Sequence, residues 1–383
     1  MVDTILCIDC GTTSLKAALL SDKYTVEAYS KQDFDAPGAD AWFRALCRAV
    51  RELKEKNPDA GIEAVCVSGN GPTLVLDGGL ECGDGKNRTL LWNENPVPLR
   101  PMPKDVAESH SMFIPRLWLL REMFPDDWKR AHHIFSGPEY LIFALTGTPL
   151  SILPDARYRP AYWNCDELLR SGFGEDDVQK LPPFVGMGEF AGKVSAKSAI
   201  ATGLFEGTFV FCGAPDFIVA LIGTGTLFPG MVCDRAGSSE GINLCTSEPL
   251  FAPGVRTLPH PVPGLWNASV IIEKSGTRRL ESEAGKNAVL SDFAQGVGVL
   301  RDAAREKKIP FSNALVMTGG QCRDESWIRQ KALRAGVRID VPWCSDGELI
   351  GDLILARVAL GDFDDIQEAA MCLCKVKKSY GNI

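Results

Sequence analysis

The stretch LCIDCGTTSLKAALL, Leu6 to Leu20, carries two sets of residues able to do chemistry. Cys7 and Cys10 have the spacing of a metal or redox pair. Asp9, Gly11, Thr12 and Thr13 have the composition of a tight turn that holds an anion: glycine lets the backbone come close, and successive N–H groups form a nest. A second stretch, CDRAGSSE (Cys233 to Glu240), repeats the order of strand, small residue, glycine, two hydroxyl residues and strand. When the two are aligned, Cys10 falls on Ala236 and Cys7 on Cys233, so these positions ask for compact side chains rather than for thiols. Residues three apart on a strand point to opposite faces, which places Cys7 and Cys10 badly for a shared metal. Neither this pair nor Cys372 with Cys374 has a second such pair or a well-placed histidine among His110, His132, His133 and His260. Two such turns facing each other would grip a polyphosphate, and only the first carries a carboxylate at the position of Asp9, on the metal side, where the second has Arg235.

These turns need strands to present them. Ile5–Asp9, Leu15–Leu20 and Val26–Ser30 read as strands, the first two a hairpin, followed by an amphipathic helix from Trp42 to Lys56. Ile62 to Gly71 is a buried strand entering a glycine turn, and PRLWLLREMFP and GPEYLIFALTG are helices. Strands at Met231–Arg235 and Gly241–Cys245 repeat the hairpin. A loop-rich stretch is expected over 248–285, then a helix from Ala288 to Lys307, the strand NALVMTGG, and helices at Glu325–Ala335 and Glu348–Leu360. The double glycine Gly319-Gly320 between a buried strand and a helix permits close approach of a flat ligand such as a nucleobase. Alternating strands and helices indicate an α/β chain.

The 383 residues suffice for two or three domains, and 45% hydrophobic with 23% charged residues is ordinary globular composition. A net charge of −8 without a basic stripe argues against nucleic acid and anionic membranes as partners. The N-terminus is a poor signal peptide, and the apolar window Phe209 to Cys233 is interrupted by Pro215, Asp216 and Pro229, so a buried strand–helix region is expected there instead of a membrane helix. Thirteen scattered cysteines read as reduced thiols of a cytoplasmic protein.

In order, these motifs resemble the FGGY carbohydrate kinases of the sugar kinase, actin and Hsp70 superfamily, with xylulokinase-like members nearest. The resemblance rests on IDCGTTSLKAALL, VSGNGPTLVLD, LLWNENP, GPEYLIFALTG, the segment ATGLFEGTFVFCGAPDFIVALIGTGTLFPG, AGSSEG, VMTGGQCRDESWIRQKALRAGVRIDVP and ELIGDLILARVALGDF, which together span nearly the whole chain. It implies two ribonuclease H-like domains of the actin/hexokinase superfamily with a central cleft. Residues 1–210 would form the sugar-binding domain with the first phosphate motif, and 211–383 a shortened nucleotide-binding domain. The implied activity is transfer of the γ-phosphate of ATP to a hydroxyl of a small sugar or polyol, such as a ketose, with Mg²⁺.

By the same resemblance Asp216 is the general base; it is an isolated carboxylate in an apolar segment, where desolvation would raise its pKa, and it also suits the N-cap of the following helix. Asp9 is the metal-side carboxylate. Gly11, Thr12, Thr13, Lys16, Gly237, Ser238 and Ser239 would meet the phosphates, and Gly319 and Gly320 the adenosine. Asn70, Trp92, Glu94, Asp155, Asp216 and Phe217 would line the acceptor. The pattern departs from the xylulokinases in three places. SGNGPT lacks the family's histidine, and Pro96 stands where an arginine is usual. PDARYRPA adds Arg157 and Arg159, suggesting an acidic or modified polyol beside the plainer reading of arginines in a surface loop. Only about 75 residues separate AGSSEG from MTGG. A catalytically weak sugar- or ATP-binding sensor, an actin- or chaperone-like ATPase and a cysteine-based redox or zinc protein are the competing functions, and a homodimer is an open alternative for the assembly.

Overall fold

The computed structural model describes residues 3–21, 23, 25–78, 87–237 and 239–381. The chain divides into two compact units, Met1–Ser21 with Val26–Asp216, and Asp22–Thr25 with Phe217–Ile383.

In the first unit, strands β1 (Asp3–Cys10) and β2 (Ser14–Ser21) form the antiparallel hairpin around the glycine turn, with Asp9 opposite Lys16 and Cys10 opposite Leu15. Next come β3 (Thr25–Asp33), helix α1 (Ala39–Lys56), β4 (Gly61–Gly69), helices α2 (Ile114–Met123) and α3 (Gly137–Thr146), and strands β5 (Phe190–Lys193) and β6 (Phe209–Pro215). The sheet order is β5-β6-β4-β1-β2-β3. Period-two alternation sends Leu6, Ile8 and Cys10 of β1 and Leu15, Ala17 and Leu19 of β2 into one apolar core, where they join Trp42, Phe43, Leu46 and Val50 of α1. The helix is amphipathic because those residues recur at intervals of three and four.

The second unit has helix α4 (Asp216–Gly223) at its start, then β7 (Val232–Ala236), β8 (Glu240–Thr246), β9 (Arg256–Pro259), β10 (Trp266–Ile272), α5 (Glu283–Glu306), β11 (Ala314–Thr318), α6 (Glu325–Ala335), β12 (Arg338–Pro342), α7 (Gly347–Leu360) and β13 (Val376–Tyr380). Its sheet runs β9-β10-β8-β7-β11-β12-β13. The cores of the two sheets have the same order. A hairpin (β1-β2, β7-β8) is flanked on one side by the next strand of the core (β3, β10) and on the other by two parallel strands (β4 and β6, β11 and β12). The repeat read from two short motifs thus extends to whole sheets.

The expected loop over 248–285 is corrected: it contains β9 and β10, and the chain continues past Leu360 through a helix at Ile366–Leu373 into β13. The apolar window from Phe209 is split between β6 and α4, and among the described residues no helix is long and apolar enough to cross a membrane.

Candidate active site

In the first unit, the end of β4 is drawn against the end of β1. A Cβ on Gly69 would stand 2.6 Å from the Cys10 carbonyl oxygen, so only glycine lets the strands end so close. The next residue locks the junction. The Asn70 main-chain N–H and side-chain amide both donate to the Cys10 carbonyl, each at 2.9 Å, and its Oδ1 accepts from the Thr73 hydroxyl at 2.6 Å. Thr73 in turn accepts the Trp92 main-chain N–H at 3.1 Å, and the indole Nε1 of Trp92 donates to Thr12 Oγ1 at 2.8 Å. The tryptophan segment and the first glycine turn are therefore one connected structure, and Trp92 remains 47% exposed above it.

Arg116 on α2, buried below this segment, holds it in place. Its Nη1 donates to the carbonyls of Trp92 and Glu94, both at 3.3 Å, and its Nη2 to those of Leu90 and Leu91. Burial pulls the pKa of this guanidinium below its ordinary value, with Glu94 opposing. No sequence signal marked Arg116, which sits in an ordinary helical pattern. Glu94 accepts the Leu91 N–H at 2.9 Å and so closes its own turn.

Asp9 lies buried at the end of β1, with Oδ2 3.4 Å from Lys16 Nζ. It faces away from the core side of the strand, while Cys10 points into the core, where burial and then Asp9 push its thiol well above the ordinary value. The twelve described cysteines are all free thiols, and no cluster of metal-ligating side chains exists among the described residues.

The expected Arg157 and Arg159 both have internal partners. Arg157 Nε donates to Asp155 Oδ1 at 2.8 Å, and Arg159 stacks on Phe184 at 4.3 Å from the ring centre. Burial raises the Asp155 pKa, but the hydrogen bonds from Arg157 outweigh it and hold the carboxyl below its usual range. Asp216, half-buried, opens α4 directly after β6, with Phe217 beside it.

The second unit repeats the junction. A Cβ on Gly319, whose φ is +99°, would stand 2.6 Å from the Ala236 carbonyl oxygen and 3.2 Å from Gly237 N, so the double-glycine turn is backed directly onto the second hydroxyl turn. Two motifs far apart in sequence are thereby one surface. The amide following the glycines again closes it: Gln321 Nε2 donates to the Gly237 carbonyl at 3.0 Å, and Gln321 Oε1 accepts from Trp327 Nε1 at 2.7 Å. Gly320 is exposed beside it, and Ser239 accepts the Lys274 N–H at 3.2 Å. Ser238 lies outside the described residues. On the far side, Thr318 Oγ1 accepts the Gly347 N–H at 2.6 Å, which sets the start of α7.

No family model matches the chain. A probable L-xylulose kinase of Pasteurella multocida is 24% identical over 449 aligned positions covering 96% of this chain and 92% of that protein. A xylulose kinase of Staphylococcus epidermidis is 20% identical and covers 99% and 92%. The chain is thus similar to xylulose kinases along nearly its whole length. The solved structure of ligand-bound xylulose kinase from Lactobacillus acidophilus superposes with a TM-score of 0.73 at 16% identity, covering 99% of this chain and 94% of that one. The fold with its duplicated sheet is thus that of the xylulose kinase structure. The 449 aligned positions exceed the 383 residues of this chain, so the Pasteurella relative carries segments that it lacks, yet both sheets retain all five strands of the shared order.

Proposed function

We propose that this chain transfers the γ-phosphate of ATP to a hydroxyl of a small sugar or polyol, with a ketose such as xylulose the first acceptor to test. The observation that carries the reading is the junction of Gly319 with Ala236–Gly237, which merges two glycine turns into one open, backbone-lined surface of the kind a nucleotide needs. In this reading the second unit binds nucleotide through Gly237, Ser238, Ser239, Gly319 and Gly320. Gly11, Thr12, Thr13 and Lys16 of the first unit serve the phosphates, and Trp92, Glu94, Asp155 and Phe217 the acceptor. Asn70 has its amide committed to Cys10 and Thr73, so it shapes the acceptor loop through the backbone.

Asp216 takes the proton of the attacking hydroxyl; the start of α4 fixes its main chain, and its partial burial limits the competing water. Asp9 suits Mg²⁺, which is commonly held by one or two carboxylates together with substrate phosphates. The metal would supply charge neutralisation on the phosphates. Lys16, already 3.4 Å from Asp9, adds a second positive group at the same turn.

The test is ADP release from Mg·ATP across ketoses, polyols and sugar acids. Sugar-dependent turnover is expected, with kcat down about 10²- to 10⁴-fold in Asp216→Asn, the range for loss of a general base. Sugar-independent hydrolysis, or an unaffected Asp216→Asn enzyme, would overturn the reading.

A further inference from the structure

Beneath the second glycine turn lies a buried ionic cluster that the phosphoryl-transfer scheme does not use. Lys331 of α6 is 0% exposed and bonds Asp234 Oδ2 of β7 and, at 2.8 Å, Glu240 Oε1 of β8. Its ammonium also lies 4.1 Å from the centre of the Phe293 ring of α5. Glu240 Oε2 accepts from Gln321 Nε2 at 3.3 Å, and that same amide reaches the Gly237 carbonyl and Ser275 Oγ, at 3.0 and 3.1 Å. A continuous chain therefore runs from Lys331 through Glu240 and Gln321 to the backbone of the turn.

The fold does not require this cluster. The first unit builds the same hairpin with Ile8 where the second has Asp234, and pairs Cys10 with Leu15 where the second pairs Ala236 with Glu240. Ile8 and Leu15 are plain core residues. Burying three charges is costly, and an apolar core of the same shape is often at least as stable. The second unit retains the costly version only under the turn assigned above to the nucleotide.

We propose that Lys331, Asp234, Glu240 and Gln321 are a positioning set for the nucleotide, fixing the Gly237 turn against Gly319–Gly320 and setting the charge beneath the phosphates. This rests on the kinase reading of the same turn. With both carboxylates ionised the cluster carries one net negative charge, and Asp234 Oδ1 has no hydrogen-bond partner among the described residues. The groups facing Asp234 are Glu240 from β8, Lys331 from α6 and the Cys322 thiol after β11, with Arg235 adjacent on its own strand. Burial first, then Glu240, lift the Asp234 carboxyl well above the usual range, against the pull of Lys331. Protonation neutralises the cluster and favours the polyphosphate; deprotonation opposes it.

The experiment measures Mg·ATP binding by calorimetry and both KM values in the full-length chain. Gln321→Met leaves the ion cluster intact and removes its link to the turn. It is expected to weaken Mg·ATP by about tenfold through loss of the bond to the Gly237 carbonyl, while KM for the acceptor holds. A triple variant, Asp234→Asn with Glu240→Gln and Lys331→Met, removes the charges without stranding one, and should abolish the dependence of Mg·ATP affinity on pH. The parent should lose Mg·ATP affinity from pH 6 to 8, and Asp234→Asn should abolish that step. Should the triple variant fail to fold, Gln321→Met and the pH profile decide. Unchanged Mg·ATP affinity in Gln321→Met, or loss of both KM values in proportion to folded protein, overturns the inference and leaves the kinase reading standing. A parent that binds no Mg·ATP overturns both.

Discussion

Four main-chain carbonyls, those of Leu90, Leu91, Trp92 and Glu94, converge on the single guanidinium of Arg116. A planar five-donor head can satisfy several acceptors at once, and a lysine cannot copy that geometry. The indole that this loop presents then reaches Thr12 of the first turn. Replacing Arg116 by Met should therefore raise KM for the sugar several-fold and cost about 1–3 kcal/mol of stability, while KM for Mg·ATP stays within about twofold. Steady-state kinetics with a parallel thermal melt checks this; an unchanged sugar KM would detach the tryptophan loop from acceptor binding. The proposed site residues Asp9 and Asp216 and the glycine–hydroxyl turns stood out because they interrupt apolar segments. Arg116 and Lys331 did not, because a basic residue in a helix reads as solvent-facing until the fold shows what lies above it. For Lys331 the signal lay elsewhere: Asp234 and Glu240, two buried carboxylates on the second hairpin, needed a buried cation.

Helices α4 and α7 cross through glycine. A Cβ on Gly223 would collide with the Gly347 carbonyl, and one on Gly351 with the Val219 carbonyl, so the two backbones touch without intervening side chains. Because α4 begins at Asp216, this crossing fixes the helix that carries the proposed base. Gly351→Ala should push the helices apart, costing about 1–3 kcal/mol by overpacking and reducing kcat more than either KM. Circular dichroism melts and kinetics on the same preparation separate the two effects; a stable variant with parental kcat would show that α7 does not govern Asp216. Most elements followed from periodicity, α6 to the residue and α1 within three. The strands β9 and β10 were missed because Pro259, Pro261, Pro263 and Gly264 break the pattern. They were also missed because the inward polar residues of β10 mimic a loop: buried Asn267 bonds Asn243 Oδ1 at 3.1 Å, and Ser269 bonds the Arg256 carbonyl at 3.3 Å. The partners that these buried groups do have come from neighbouring strands and leave no local trace.

At the scale of the molecule, duplication is the main regularity, and the two units differ chiefly in what they bury. The first unit fills its sheet core with Ile8 and Leu15, and among its buried acids Glu139 bonds the Ser136 hydroxyl and the Ile152 N–H. Burial raises its pKa, those bonds partly offsetting. The second unit keeps Asp234, pushed up to about 7 by burial and then by Glu240. An acid whose folded pKa lies above its unfolded value stabilises the fold fully below the unfolded value, and that contribution is lost as pH rises through the folded one. For Asp234 the window runs from about pH 4 to about pH 7, so the second unit should become less stable from pH 5 to 8. This is opposite in sign to the behaviour of an ion-paired surface carboxylate, whose folded pKa is lowered. Calorimetric scans across that range should show its transition falling by several degrees, on the scale of about 2–4 °C for each kcal/mol lost in a unit of this size. Asp234→Asn removes the titrating group and should flatten the dependence. A transition that rises with pH in the parent, or one equally steep in the variant, would mean that the cluster under the Gly237 turn keeps both carboxylates ionised throughout.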